Sequence, residues 1–236
     1  MKNPSTAAQQ NESISDQNRL NILVIGAGGA TGRATVEKLL SDGHRVTAFS
    51  RGGEYDNQAS DRLRVLAGDV TAPVDINRAV QGQDVVIVIL GINENPLRVR
   101  LFGAAGTPGD IRSVGTRNVI RAMVKHDVDR LMVQSSYGVG ATRHRLGLMD
   151  RLVFSLLLKP QIADTEIQEQ QVRDSGLDWV IVQPVHLTDE KATGLPFFST
   201  QGQTRLMKVA RRSVAQFFAL AVRQPEYIGQ SVAVSG

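Results

Sequence analysis

Residues 21–33 read Asn21-Ile22-Leu23-Val24-Ile25-Gly26-Ala27-Gly28-Gly29-Ala30-Thr31-Gly32-Arg33. The first five are a short aliphatic run that stops at a glycine, the pattern of a strand buried on both faces. From Ala30 to Leu40 the apolar residues Ala34, Val36, Leu39 and Leu40 fall on or near one helical face, and Ser41-Asp42-Gly43 ends the helix. Between strand and helix the glycines follow G-x-x-G-x-x-G. In such a loop Gly26 permits the tight turn, Gly29 lets a pyrophosphate approach the backbone, and Gly32 lets the helix lie close to the strand. The free amides at the helix N-terminus then face phosphate oxygens. Gly26, Gly28, Gly29 and Gly32, with Ala30 and Thr31, are therefore expected to cradle a dinucleotide.

The same alternation continues along the chain. Strands are expected at 44–49, 63–67, 84–90, 129–134, 178–183 and 231–234, and helices at 74–80, 112–126, 164–175 and 213–223. Continuous apolar strands alternating with helices imply a parallel sheet covered on both faces, with right-handed crossovers. The expected architecture is α/β: a Rossmann-type, doubly wound parallel sheet in a single domain over 19–236. Residues 1–18 are rich in Gln, Asn, Ser and Thr with Ile14 the single large aliphatic residue after Met1. Such a composition predicts a disordered polar tail. Two stretches break the rhythm. Ile92 to Gly109 carries Gly103, Gly106, Pro108 and Gly109 and the cluster Arg98-Val99-Arg100; Arg143 to Lys159 is rich in Leu between basic flanks. Loops 92–110 and 137–160 are expected to form a substrate cleft, with the apolar stretch as its cap or, alternatively, as a surface helix for a membrane or partner.

The residues after the second strand distinguish the dinucleotides. An acidic residue there would bind the ribose hydroxyls of NAD. Here Phe49-Ser50-Arg51 occupies the place, and Arg33 follows the glycine loop. Two guanidiniums and the Ser50 hydroxyl suit a 2′-phosphate, so NADP(H) is the expected cofactor. The other reading of Arg51 is a solvated loop residue. Asp69 and Val70, after the third strand, are expected at the adenine rim; Leu90 and Gly91 are expected beside the ribose and pyrophosphate. Ser135 closes the fifth strand, and Pro184 and Val185 close the sixth, again on the cofactor edge. Ser136 and His186 follow them and are the candidate catalytic residues, though either can be structural. Tyr137 has Ala141, not Lys, four residues on. The Tyr-x-x-x-Lys proton relay of many carbonyl reductases is therefore missing.

Composition narrows the function classes. The 236 residues contain no Cys, so thiolate metal sites and cysteine nucleophiles are excluded. No Asp/Glu/His set has metal-ligand spacing, and no metal is expected. Lys and Arg total 27 against 23 Asp and Glu. The excess is dispersed, which argues against a nucleic-acid partner. No run is long enough for membrane insertion, and the N-terminus has no secretory h-region. A cytoplasmic location is expected.

The chain resembles the atypical short-chain dehydrogenase/reductases that include biliverdin-IXβ reductase (flavin reductase) and the NmrA-like NAD(P)-binding proteins. The resemblance rests on the Gly26–Gly32 loop, Gly68-Asp69-Val70, the block from Gly82 to Gly91, Gly115-Thr116-Arg117-Asn118-Val119-Ile120, Ser135-Ser136, Ser175-Gly176-Leu177 and Pro184-Val185-His186. It implies a cytosolic monomer, or a weak homodimer, that passes hydride from NADPH to an aromatic, quinone-like or tetrapyrrole-like acceptor. The NmrA-like branch implies instead a non-enzymatic NADP-sensing regulator. Gly28 stands where the family has a threonine, and Thr165 where the flavin reductase has a histidine.

Overall fold

A computed structural model describes residues 19–52, 60–91, 108–145, 159–192 and 194–236. The polar tail, most of loop 92–110 and the apolar stretch 146–158 lie outside the described residues. In chain order the strands are β1 (Asn21–Ile25), β2 (Arg45–Ser50), β3 (Leu63–Ala67), β4 (Val85–Val88), β5 (Arg130–Gln134), β6 (Asp178–Pro184), β7 (His186–Thr188), β8 (Phe197–Ser199), β9 (Lys208–Ala210) and β10 (Gln230–Ser235). The α-helices are α1 (Ala30–Ser41), α2 (Pro73–Val80), α3 (Ile111–Lys125), α4 (Lys159–Arg173) and α5 (Arg211–Ala221).

Eight strands form one sheet in the order β3-β2-β1-β4-β5-β6-β10-β8. All neighbours are parallel except β10 and β8. β7 and β9 make a separate parallel pair beside it. β1 lies inside the sheet, between β2 and β4, and the strand order reverses there. That switch opens a crevice at the carboxyl ends of β1 and β4.

Strand alternation divides the core between the two faces. Ile22 and Val24 of β1 pack with Val36, Leu39, Phe217 and Phe218 of α1 and α5. Leu23 and Ile25 pack on the other face with Ile76, Val119 and Met123 of α2 and α3. Phe217 also meets Phe198 and Tyr227, at ring distances of 5.1 and 5.5 Å, and so fastens β8 to α5. β7, β8 and β9 are three residues each and carry no pattern of their own, so the sequence did not predict them.

Several boundaries differ from expectation. β4 ends at Val88 rather than Leu90: Ile89 and Leu90 stay buried but leave the ladder into the crevice. A continuous apolar run does not distinguish a strand from the buried segment that follows it. α4 starts at Lys159, before Asp164. Asp164 therefore does not begin its own helix. Its carboxylate caps another, accepting the amides of Arg112 (3.0 Å) and Ser113 (3.1 Å) at the start of α3. Glu169 of this helix is fully buried, whereas Glu166 pairs with Arg143.

His44 is buried and accepts the Leu20 amide on Nδ1. Burial lowers its pKa below 6.5, helped by Arg223 and Lys38 and opposed by Asp42. The unfolded chain therefore binds this proton more readily, and the stability that His44 contributes is lost as pH falls through about 6.5. Chemical denaturation between pH 8 and pH 5 should show a decline that is shallower in His44→Asn. Equal slopes would place the pH sensitivity elsewhere.

Candidate functional site

The crevice is a cavity of about 660 Å³. Its central wall is the loop from β1 to α1. Gly26 has φ +87°, and a Cβ there would lie 2.1 Å from the Ile89 carbonyl oxygen; a Cβ on Gly32 would lie 2.2 Å from the Gly26 carbonyl. Both positions are closed to any side chain. Gly29 is the N-cap of α1, and its carbonyl takes the Arg33 amide at 2.8 Å. The amides of Ala30, Thr31 and Gly32 come earlier in the helix than any intrahelical acceptor and sit at the cavity wall. Those donors, with a positive helix end and no side chain in the way, fit a pyrophosphate.

On the β2 side the cavity is lined by Phe49, Ser50, Arg51, Gly68 and Val70, with Arg33 opposite. Arg33 Nε donates to the Gly28 carbonyl at 3.1 Å, and a Cβ on Gly28 would touch the Ser50 side chain at 3.4 Å. Asp69 is not among the lining residues. Its Oδ1 accepts the Thr71 amide and hydroxyl, both at 2.8 Å, and these bonds lower its pKa. The sequence assigned Asp69 and Val70 together to the adenine rim; the turn keeps Val70 on the wall and takes up the Asp69 carboxylate. The Gly115–Asn118 motif braces this wall. Gly115 leaves room for Val70, and Asn118 Nδ2 donates to the Val70 and Thr71 carbonyls at 3.1 and 3.0 Å.

The other end lies over β4, β5 and β6. Ile89, Leu90, Gly91, Ile111 and Leu187 give it apolar walls, and Arg112, Gln134 and Gln161 give it polar ones. The Ser135 side chain is buried away from this space, its hydroxyl donating to Glu169 Oε1. Glu169 Oε1 also accepts Gln183 Nε2 at 2.8 Å, and Oε2 accepts Arg173 at 2.7 Å. Ser136 is half-buried and does not line the cavity. His186 is exposed on β7, where strand alternation turns it opposite to Leu187, which does line the cavity. Pro184 and Val185 lie behind Leu187 and are also outside the lining. Tyr137 is buried and its hydroxyl donates to the Gly202 carbonyl at 3.2 Å. Thr165 is buried and its hydroxyl donates to the Gln161 carbonyl, so neither residue offers a proton to the cavity.

Sequence reasoning missed Gln134, Gln161 and the Asp189–Arg211 ion pair at 2.7 Å. The distance between 189 and 211 hides that pair. Among the described residues, no helix is long and apolar enough to cross a membrane.

The arrangement defines a dinucleotide-binding α/β protein, and residues 26–225 match the NAD(P)H-binding family. The chain belongs to that family. An uncharacterized chloroplastic protein of Arabidopsis thaliana is 27% identical over 87% of this chain and 72% of its own length. The 2-alkyl-3-oxoalkanoate reductase of Shewanella oneidensis is 30% identical, over 49% of this chain and only 28% of that protein. Among solved structures, a Rossmann-fold NAD(P)-binding protein from Shigella flexneri superposes with a TM-score of 0.67 at 25% identity, covering 91% of this chain and 92% of that one. An anaerobilin reductase from Escherichia coli superposes with a TM-score of 0.70 at 22% identity, covering 91% and 96%, which shows a common fold.

Proposed function

We propose that the chain is an NADPH-dependent reductase whose acceptor is a flat conjugated molecule: a flavin, a linear tetrapyrrole or a quinone. The observation that carries this reading is that, among the described residues, the cavity wall holds no side chain suited to act as a general acid. Of the described residues lining it, only Arg33, Arg51, Arg112, Asp189 and Arg211 are titratable, and Asp189 is ion-paired with Arg211. Arginine stays protonated in proteins, whereas a general acid works best with a pKa near the operating pH. A simple carbonyl needs a proton where charge builds on its oxygen. A conjugated acceptor spreads that charge and takes its proton from water.

When bound, the nicotinamide supplies the hydride; the protein supplies orientation and dryness. In this reading the amides of Ala30, Thr31 and Gly32 hold the pyrophosphate. Arg33, Ser50 and Arg51 take the 2′-phosphate, and Val70 packs by the adenine. Leu90 and Gly91 pass the ribose, while Ile89, Ile111 and Leu187 exclude water around the acceptor. Ser136 and His186 stand just beyond the carboxyl edge of β5 and β6, outside the cavity lining, and carry no proton transfer in this reading. The E. coli anaerobilin reductase supports the acceptor class only through its shared fold.

The test is oxidation of NADPH and NADH with FMN, biliverdin isomers, quinones and a simple aldehyde. NADPH should be preferred, and the conjugated acceptors should turn over while the aldehyde does not. Arg51→Asp should erode the preference for NADPH by more than about tenfold. Tyr137→Phe, Ser136→Ala and His186→Ala should each lower kcat by less than ~10²-fold. A loss of four orders of magnitude in Tyr137→Phe, with a limb of the pH profile removed, would overturn the reading. Tight NADPH binding with no turnover on any acceptor would favour the NADP-sensing regulator.

A further inference from the structure

Arg112 projects from the first turn of α3 into the end of the cavity away from Arg33 and Arg51. Asp164 is its nearest acidic influence, but both Asp164 oxygens are committed to the Arg112 and Ser113 amides. The guanidinium spans the carboxyl ends of β4 and β5. Nη1 donates to the Gln134 carbonyl at a long 3.4 Å, and Nη2 lies 3.4 Å from where a Cβ on Gly91 would stand. Among the described residues, no carboxylate comes within ion-pair distance of it. Burial pushes its pKa below the ordinary arginine value, against the pull of Asp164. Arg211, which lines a second pocket with Arg33 beside α1, already has Asp189. A guanidinium has five donors, and this half-buried one, bonded to one neutral carbonyl, leaves most of them facing the cavity.

We infer that Arg112 is an anion subsite at the acceptor end of the cavity, and that it takes a carboxylate or phosphate carried by the acceptor. The inference rests on the reading above that an acceptor occupies this end. Position separates this anion from those of the cofactor. Strands are spaced about 4.8 Å apart, so the end of β5 lies roughly 14 Å across the sheet from Arg51 and roughly 10 Å from the glycine loop. The absent side chain at Gly91 leaves room beside Nη2 for an incoming oxygen. The acceptor is then an acidic conjugated molecule, such as a flavin phosphate or a bilin with free propionates, rather than a neutral quinone.

Two ligand pairs test this, each differing only in the anion: FMN against riboflavin, and biliverdin against its dimethyl ester. Binding to the full chain saturated with NADP⁺ is followed by fluorescence or absorbance, without turnover. The acidic member of each pair should bind about 10- to 100-fold more tightly, the range of a charged hydrogen-bonded contact. Arg112→Met should abolish that ratio while leaving the neutral members and NADP⁺ within about threefold, and Arg112→Lys should restore part of it. A wild-type protein with no preference for the acid, or with no binding of any of the four, overturns the subsite. So does an Arg112→Met variant that loses NADP⁺ affinity but keeps the FMN-to-riboflavin ratio, since the guanidinium then serves the cofactor. Arg112-dependent discrimination without NADPH oxidation on any acceptor would remove the reductase reading and leave the subsite standing.

Discussion

Gly26→Ala should yield little folded protein and no measurable NADPH binding. The added Cβ would stand 2.1 Å from the Ile89 carbonyl oxygen and 2.9 Å from its carbon, both backbone atoms. Neither side can retreat: the Ile89 amide is bonded to the Ile25 carbonyl at 2.8 Å, and the Gly26 amide to the Phe49 carbonyl at 3.0 Å. The φ of +87° adds strain for any L residue. Overlap and strain together cost on the order of 4 kcal/mol or more. For a chain of this size that is a fall in Tm of more than about 8 °C. Gly28→Ala is the control, because its Cβ meets only the Ser50 side chain, at 3.4 Å. It should keep the fold. Thermal unfolding and an NADPH titration of both variants check this; a Gly26→Ala protein with native Tm would show that the β1–β4 junction moves freely.

Glu169→Ala should be the most damaging change away from the glycine loop, at about 3–5 kcal/mol. The carboxylate is fully buried and ties three elements together: Ser135 after β5, Gln183 in β6 and Arg173 one turn on in α4. Removing it leaves these donors facing a cavity, with a partly buried cation among them. Glu169→Gln keeps the volume and one acceptor and should cost clearly less. Equal losses in the two variants, measured by denaturant unfolding, would mean that packing rather than charge and hydrogen bonding carries the site.

Much of the fold follows from local pattern. Five-residue aliphatic runs, the period of α1 and the G-x-x-G-x-x-G spacing each report on neighbours along the chain. Those signals locate the cofactor crevice because the glycine loop is itself one turn between one strand and one helix. They say less about where an element stops. Ile89 and Leu90 look like strand yet leave the ladder, and α4 starts ahead of Asp164.

What the sequence by itself determined is the alternation that builds a parallel sheet and the glycine loop that meets a dinucleotide. Both depend on steric rules acting within a few residues. Only the tertiary structure decided which polar groups serve the site. Asp164 caps a helix 52 positions earlier, Glu169 gathers donors from β5 and β6, and Asp189 meets Arg211. Among the described residues, Arg112 has no ion-paired carboxylate. The partner of a charged side chain is set by which distant segments the fold brings within a few ångströms of it, and burial then fixes whether that charge is satisfied by the protein or left for a ligand.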